Sequence, residues 1–556
     1  MINVTVNGRR DALESGVTVE ESIRRLCPEM SAHALGALCG GIVYELSRPL
    51  SRDCEMTCLT YEDEEGRRIY ERSLRFVMLL ALRELFPGQQ VRIEHSLGGG
   101  IYVKLPGYTM RQEDVQALDE TMRRLVREKL PYEKKRWSRS HAIRYFRQTG
   151  QQDKVDLLAY RPYDHIYLYT CGGLSDYFYG AMLPDTGRAR VFGVKLNSPG
   201  FILQLPTPSA PWQISPGAHL PKHLAAFQES SEWCRILSCT NAADLNGLVL
   251  SGQLRKFIRV NEALHDKSIA GIAEGIRQAG SRAVMIAGPS SSGKTTFANR
   301  LCIHLRVLGL IPRLISLDNF YLPRDQVPVK ADGSLDFEDL HALDVPLIQE
   351  SLKKLLNGEE AVLPVYHFAK DKENTTMTLS LGPNEVLVME GIHALNPELH
   401  RTLEGQRVSK VYISELTCLN LDDHNRIRTT DARLLRRIVR DYQFRATPAD
   451  ATLTMWKNVR EGEEKWIFPY QEEADFVFNS VLHYELPFLR NYAYDLLHTI
   501  EPENPNYLPA RRLIKILHYF MPAPQETLNE IPPLSILREF IGGNTLYLPD
   551  DEKTGN

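Results

Sequence analysis

The run Gly288-Pro289-Ser290-Ser291-Ser292-Gly293-Lys294-Thr295 fits G-x-x-x-x-G-K-[ST], a pattern whose chemistry is phosphate binding. Its glycines permit a tight turn in which successive backbone N–H groups face one anion. A helix N-terminus behind the loop adds partial positive charge. Lys294 is placed to reach β- and γ-phosphates, and the hydroxyl of Thr295 to ligate Mg²⁺. The candidate phosphate-contacting residues are thus Gly288, Ser290, Ser291, Ser292, Gly293, Lys294, Thr295 and Thr296. Two carboxylates follow apolar runs that read as strands. Asp318 comes after Leu314-Ile315-Ser316-Leu317, and Glu390 ends Val386-Leu387-Val388-Met389. A carboxylate so placed can accept a proton from an attacking hydroxyl, the role expected of Asp318. It can also complete a Mg²⁺ shell, the role expected of Glu390 beside Thr295. Arg433, Arg437 and Arg440 recur at i, i+4 and i+7, with Arg445 just beyond. A row of guanidiniums suits the charge on transferring phosphoryl oxygens.

These groups need a scaffold that brings them together. Ala283-Val284-Met285-Ile286-Ala287 reads as a strand before the loop, and Thr296 to Leu301 continues as a helix after it. With Lys410-Val411-Tyr412-Ile413 as a further strand, the expectation is a parallel α/β sheet, in which ligands sit outside the carboxyl ends of the strands. The whole chain of 556 residues has room for roughly three or four domains. Hydrophobic residues make up 43% and charged residues 24%, as in ordinary globular proteins, and the net charge of −4 gives no general basic field for coating nucleic acid. No apolar run approaches the ~20 residues that span a bilayer, and the start lacks a signal-peptide layout, so no membrane partner and a cytoplasmic location are expected. The nine cysteines show no zinc-type spacing and read as reduced thiols.

The fold class expected is multidomain α+β and α/β. Residues 1–60 read as a small β-grasp module: Ile2 to Val6 alternates as a strand, Asn7-Gly8 marks a hairpin turn, and Thr18 with Glu21 has capping-box spacing ahead of a short helix. With Leu46-Ser47-Arg48-Pro49-Leu50, this layout resembles the TGS domain at the front of threonyl-tRNA synthetases. Residues 61–205 resemble the second additional domain of the same family, through Arg72-Ser73-Leu74-Arg75-Phe76, Leu82 to Gly88 and His95 to Tyr102. That family's hydrolytic editing site uses an H-x-x-x-H pair and a later C-x-x-x-H. Arg72 and Phe76 occupy the first pair here, and Cys171 is followed by Ser175, so a metal-dependent hydrolase is not expected. The basic and aromatic run Lys134 to Arg139, with Arg144 to Arg147, has the composition of an RNA-facing surface or of a solvated helical face. RNA or tRNA contact by this half is therefore an expectation. Residues 206–280 read as a proline-punctuated connector ending in helix, residues 281–490 as the phosphate-loop domain, and residues 491–556 as a helical extension, with Leu534 to Gly543 a helix stopped by glycine.

The phosphate loop, Asp318-Asn319-Phe320-Tyr321, Glu390-Gly391-Ile392 and the arginine series Arg437, Arg440, Asp441, Arg445 occur in one order. In that order they resemble the uridine–cytidine kinase and phosphoribulokinase superfamily. The resemblance implies an ATP- and Mg²⁺-dependent kinase acting on a nucleoside, first of all uridine or cytidine, and an association of like chains. It implies Asp318 as the base on the 5′-hydroxyl, Tyr321 and Glu338 on the substrate side, with Glu338 at the ribose. Tyr366 and Phe368 would flank the base, with Lys294, Arg437, Arg440 and Arg445 at the transferring group. Asp371 and Met455 stand where the family has a base-reading histidine and a glutamine, which leaves the acceptor open. A phosphoribulokinase-like sugar phosphate kinase is the alternative within the superfamily, although Tyr321 stands where such enzymes usually have histidine. An RNA-binding regulator with ATP as its switch ligand is the alternative outside it.

Overall fold

The computed structural model describes residues 1–161, 163–365, 375–403 and 405–546. The expected base-flanking residues Tyr366 and Phe368, and Asp371, lie outside the described residues. At the N-terminus a five-stranded sheet runs in the order Arg9–Leu13, Ile2–Val6, Cys54–Leu59, Gly36–Cys39, Ile42–Tyr44. Its first hairpin turns through Asn7 and Gly8, at φ 47° and 82°, the positive values a two-residue turn needs to follow strand twist. The helix Val19–Leu26 starts at Thr18, whose hydroxyl accepts from the Glu21 N–H at 3.2 Å, and buries Val19 and Ile23 against the sheet. This is the β-grasp arrangement expected.

The helix Glu64–Leu85 is buried over most of its length, with Leu74, Phe76, Val77 and Leu80 in a hydrophobic core and Arg68, Glu71, Arg72 and Arg75 buried as well. It joins a core with the four-stranded sheet Gly193–Asn197, Gly200–Gln204, Gly100–Lys104, Arg92–Leu97. Lys134 to Arg139, weighed above as one face of a helix, instead belongs mostly to a strand, Glu133–Ser138. That strand is the edge of a three-stranded sheet and pairs with His165–Cys171. Lys134, Lys135 and Arg136 are exposed on it. Phe146 is buried, and Trp137 stacks on His141 at 4.3 Å between ring centroids.

A second five-stranded sheet runs Ile311–Ser316, Glu385–Glu390, Ala283–Ala287, Val408–Ser414, Phe476–Asn479, every neighbouring pair parallel. Its central strand Ala283–Ala287 is buried at every residue, as a strand covered on both faces must be. The stretch expected as a connector does more than connect. Its last helix, Leu254–Ala279, is 26 residues long, and Ile269, Ile272 and Ala273 share a core with Phe297 and Leu301 of the helix Lys294–Val307. The C-terminal extension closes the same core through Ile536, Leu537 and Phe540, but its helical part there is only Arg538–Ile541. Among the described residues no helix is long and apolar enough to cross a membrane.

Candidate active site

Register delivers the site. Ile286 and Ser316 both lie opposite Glu390, so three adjacent parallel strands end level and present the phosphate loop, Asp318 and Glu390 at one edge. The loop approaches Val408–Ser414 so closely that a Cβ on Gly288 would sit 2.1 Å from the Ile413 carbonyl oxygen. Lys294 opens the helix Lys294–Val307, with Gly293 at φ 84° as its cap. Its Nζ donates to the Pro289 carbonyl at 3.2 Å. Thr295 Oγ1 donates to Glu390 Oε1 at 3.4 Å, and Ser316 Oγ donates to the same oxygen at 3.0 Å. The Ser316 hydroxyl also accepts from the Asp318 N–H at 3.3 Å.

Burial and like charge shape the carboxylates. Burial raises Asp318 above the usual carboxylate range, against the pull of Lys294, Arg445 and Arg440. Glu390 is raised by burial first and by the charge of Asp318 second. Burial lowers Lys294, although Glu390, Asp318 and Glu539 oppose it. A carboxylate raised above its usual range is better matched to accepting a hydroxyl proton than an ordinary one.

The buried hydroxyls of Ser291 and Ser292 have no hydrogen-bond partner among the described residues. Unpaired buried hydroxyls are costly, and a phosphate oxygen between them would remove the deficit. For Mg²⁺ the chain offers the Thr295 hydroxyl and the Glu390 carboxylate. Two hard oxygen donors suit this ion, which keeps waters and takes its other ligands from phosphates. Among the described residues no group of three or more His, Cys, Asp or Glu side chains converges as a metal site.

The arginine helix Thr429–Arg445 divides its work. Arg437 donates to the Ser290 hydroxyl at 2.7 Å. Arg440 and Arg445 are the two arginines whose charge bears on Asp318. Arg433 shares the i, i+4, i+7 spacing but is 1% exposed, ion-paired with fully buried Glu463, and donates to the Ser290 carbonyl at 3.0 Å. It holds the loop and is not free to meet a phosphoryl group. Glu463, on the helix Ala449–Trp466, also accepts from the Ser290 N–H at 3.1 Å. Thr296 donates its hydroxyl to Glu539 of the C-terminal extension at 2.6 Å. Tyr321 donates to the Phe337 carbonyl at 3.1 Å, and its hydroxyl is raised by burial and then by Asp318 and Glu338. Burial pushes Glu338 up to about 7, with Arg437 opposing. Asp318, Tyr321 and Glu338 therefore share one electrostatic environment.

Three residues were given no role by motif reasoning. Asp441 is buried and sits 3.2 Å from Arg437, 2.9 Å from Arg440 and 3.6 Å from Arg445. Its spacing four after Arg437 and four before Arg445 was a usable signal. Glu463 and Glu539 carry no local signal. At the degenerate editing position Arg72 Nε donates to the Ala181 carbonyl at 2.9 Å, Phe76 is fully buried, and burial pushes the Cys171 thiol up to about 12.

Comparison with known proteins agrees in parts. Residues 283–486 match the model of the Phosphoribulokinase / Uridine kinase family. A threonine–tRNA ligase of Symbiobacterium thermophilum is 30% identical over 196 residues, which are 34% of this chain and 30% of that protein. One of Clostridium kluyveri is 29% identical over 201 residues, 36% of this chain and 31% of that protein. The chain thus spans about a third of the length of the curated relatives it matches. A solved structure described as a possible uridine kinase from Bacillus stearothermophilus is 21% identical, covering 38% of this chain and 98% of its own, at a TM-score of 0.27. The chain therefore joins an N-terminal part similar to threonine–tRNA ligases to a C-terminal segment that carries the match to the Phosphoribulokinase / Uridine kinase family.

Proposed function

We propose that this protein is an ATP-dependent kinase that transfers the γ-phosphoryl group to the 5′-hydroxyl of a nucleoside, uridine or cytidine first. The observation that carries the reading is the level edge at which Lys294, Thr295, Glu390 and Asp318 meet, with the charges of Arg440 and Arg445 bearing on Asp318. A protein that only sensed ATP would need the loop. It would have no use for a buried carboxylate poised between a lysine and two arginines. The half-exposed Phe337, edge-on to Tyr321 at 6.2 Å between centroids, favours a planar acceptor.

In this reading Asp318 orients the acceptor hydroxyl and takes its proton as the new P–O bond forms, while the bond from the γ-phosphorus to the β-γ bridging oxygen breaks. Lys294 and the loop N–H groups hold the phosphates. Arg437, Arg440 and Arg445, oriented by Asp441, oppose the charge on the transferring oxygens. When bound by Thr295 and Glu390, Mg²⁺ would neutralise phosphate charge. Glu338 and Tyr321 hold the sugar side. ADP release over a panel of nucleosides and sugar phosphates tests the reading. Turnover with pyrimidine nucleosides is expected, turnover confined to sugar phosphates moves the acceptor, and no acceptor-dependent turnover refutes the kinase.

A further inference from the structure

A cavity of about 580 Å³ lies away from the phosphate loop, and none of residues 288–296, Asp318 or Glu390 lines it. It opens where the N-terminal half, the segment leading into the arginine helix and the helix Tyr507–Leu517 meet. Its volume is in the range of small-molecule sites. Nine arginines and two lysines line it, against two glutamates.

Part of that charge is compensated. Arg68 and Arg512 pair with Glu65 and Asp431, and Arg426 and Arg428 pair with Glu71. Arg75 lies 3.9 Å from Glu71, and Lys134 pairs with Glu45 at 3.0 Å. Arg72, Arg161, Arg511 and Lys515 make no ion pair with a carboxylate among the described residues. The Nε of Arg75, a residue 5% exposed, has no hydrogen-bond partner among them. Arg72 is 9% exposed and seated against backbone: a Cβ on Gly180 would lie 2.4 Å from its Cζ, so glycine there makes room for the guanidinium. Burial lowers Arg428 to about 10 in spite of Glu71. Desolvation, followed by the charges of Arg511, Arg72 and Lys134, lowers Lys515 to about 8. Arg72 is buried, Arg161 and Arg511 are partly exposed and Lys515 is exposed. Surplus cations crowded into one cavity repel one another, and an anion there relieves that repulsion. Tyr163 and Tyr167 are each 46% exposed, and the Arg161 guanidinium lies 5.5 Å from the Tyr163 ring centroid.

A cation-rich cavity that also carries exposed tyrosines is complementary to a ligand with phosphates at one end and a planar ring at the other. We propose that this cavity binds a nucleoside polyphosphate, its phosphates on Arg72, Arg75, Arg511 and Lys515 and its base against Tyr163 and Tyr167, at a site separate from the phosphate loop. Guanidiniums suit phosphate oxygens through paired donors, and the exposed tyrosines suit base stacking. Arg428 immediately precedes the helix that bears Arg437 and Arg440, so the ligand lies beside the segment entering the catalytic arginines.

Equilibrium dialysis of the full chain with ATP, GTP and UTP, and with inorganic tripolyphosphate, tests this. In the Lys294→Met variant, where phosphate-loop binding is impaired, one nucleotide site per chain remains. Arg72→Gln weakens that site by about tenfold or more, the worth of a charge-assisted contact. Arg511→Gln, at a partly exposed position that leaves the fold undisturbed, does the same. Tripolyphosphate binds more weakly than the nucleotides. No remaining site in Lys294→Met, or a remaining site indifferent to both arginine substitutions, overturns the proposal. Tripolyphosphate binding as tight as ATP overturns the assignment of the tyrosines. Capture of an RNA end without any binding of nucleoside polyphosphates overturns the ligand class.

Discussion

Glu463→Gln is the sharpest probe of how the phosphate loop is held. Glu463 is fully buried, and it neutralises Arg433, which is 1% exposed, while accepting the Ser290 N–H. Removing one partner of such a pair leaves a guanidinium in the interior without its counter-charge, at a cost of about 3–5 kcal/mol. In a domain of this size each kcal/mol moves the melting temperature by about 2–4 °C, so the transition should fall by roughly 6–20 °C. The compensating experiment is Arg433→Met with Glu463→Leu. Replacing both charges by apolar side chains of similar volume removes the buried charge altogether and should restore most of the loss. Scanning calorimetry of the wild type, Arg433→Met, Glu463→Leu and the double variant closes the cycle, with Glu463→Gln measured beside them. The reasoning fails if Glu463→Gln melts with the wild type, or if the double variant is no better than the single ones. Because Glu463 and Arg433 grip the two sides of the Ser290 peptide, the single variant should also lose ATP affinity.

Gly288→Ala should weaken ATP binding by about tenfold or more, since its Cβ would stand 2.1 Å from the Ile413 carbonyl and the loop must move; calorimetric binding unchanged by the substitution would contradict that close approach. Lys294→Met should lower turnover by about 10²–10³ while the melting temperature stays near that of the wild type, because Lys294 makes one hydrogen bond to the loop; a large drop in melting temperature would show it to be structural. Acid should destabilise the fold through buried histidines. His95, His393 and His483 are lowered to about 4 by burial, against about 6.5 when unfolded. Between those values the unfolded chain binds protons that the native state excludes. The stability they contribute is complete above pH 6.5 and falls by about 1.4 kcal/mol per pH unit per group as the pH drops toward 4. Denaturant unfolding at pH 7 and pH 5 reads this directly, and equal stability at the two values would sink it.

Local chemistry made much of the site legible. The phosphate loop carries its own pattern, and Asp318 and Glu390 were found because each follows a short apolar run that could be a strand. Their shared level could not be read, since it depends on the register of three strands separated by up to a hundred residues. The arginine series illustrates the limit of periodicity. Spacing placed Arg433, Arg437 and Arg440 on one face, but whether that face meets a ligand or a buried carboxylate depends on Glu463, thirty residues away. Arg433 therefore proved to be a strut, and Asp441, inside the same helix and at i+4 spacing, could have been recognised as the group that orients the others. Glu133–Ser138 was read through its composition, whereas its strand character comes from pairing with His165–Cys171. The cavity charge was invisible because its arginines come from parts of the chain hundreds of residues apart.

The most direct test of the central claim is nucleoside-dependent ADP release by Asp318→Asn, measured beside its ATP affinity. Asparagine keeps the shape of the side chain and removes its capacity to take a proton. The account predicts that turnover with the accepted nucleoside falls by about 10²–10⁴, as loss of a general base does, while ATP binding changes little. Wild-type turnover by this variant would contradict the role of Asp318 and with it the mechanism built on the level edge of the sheet.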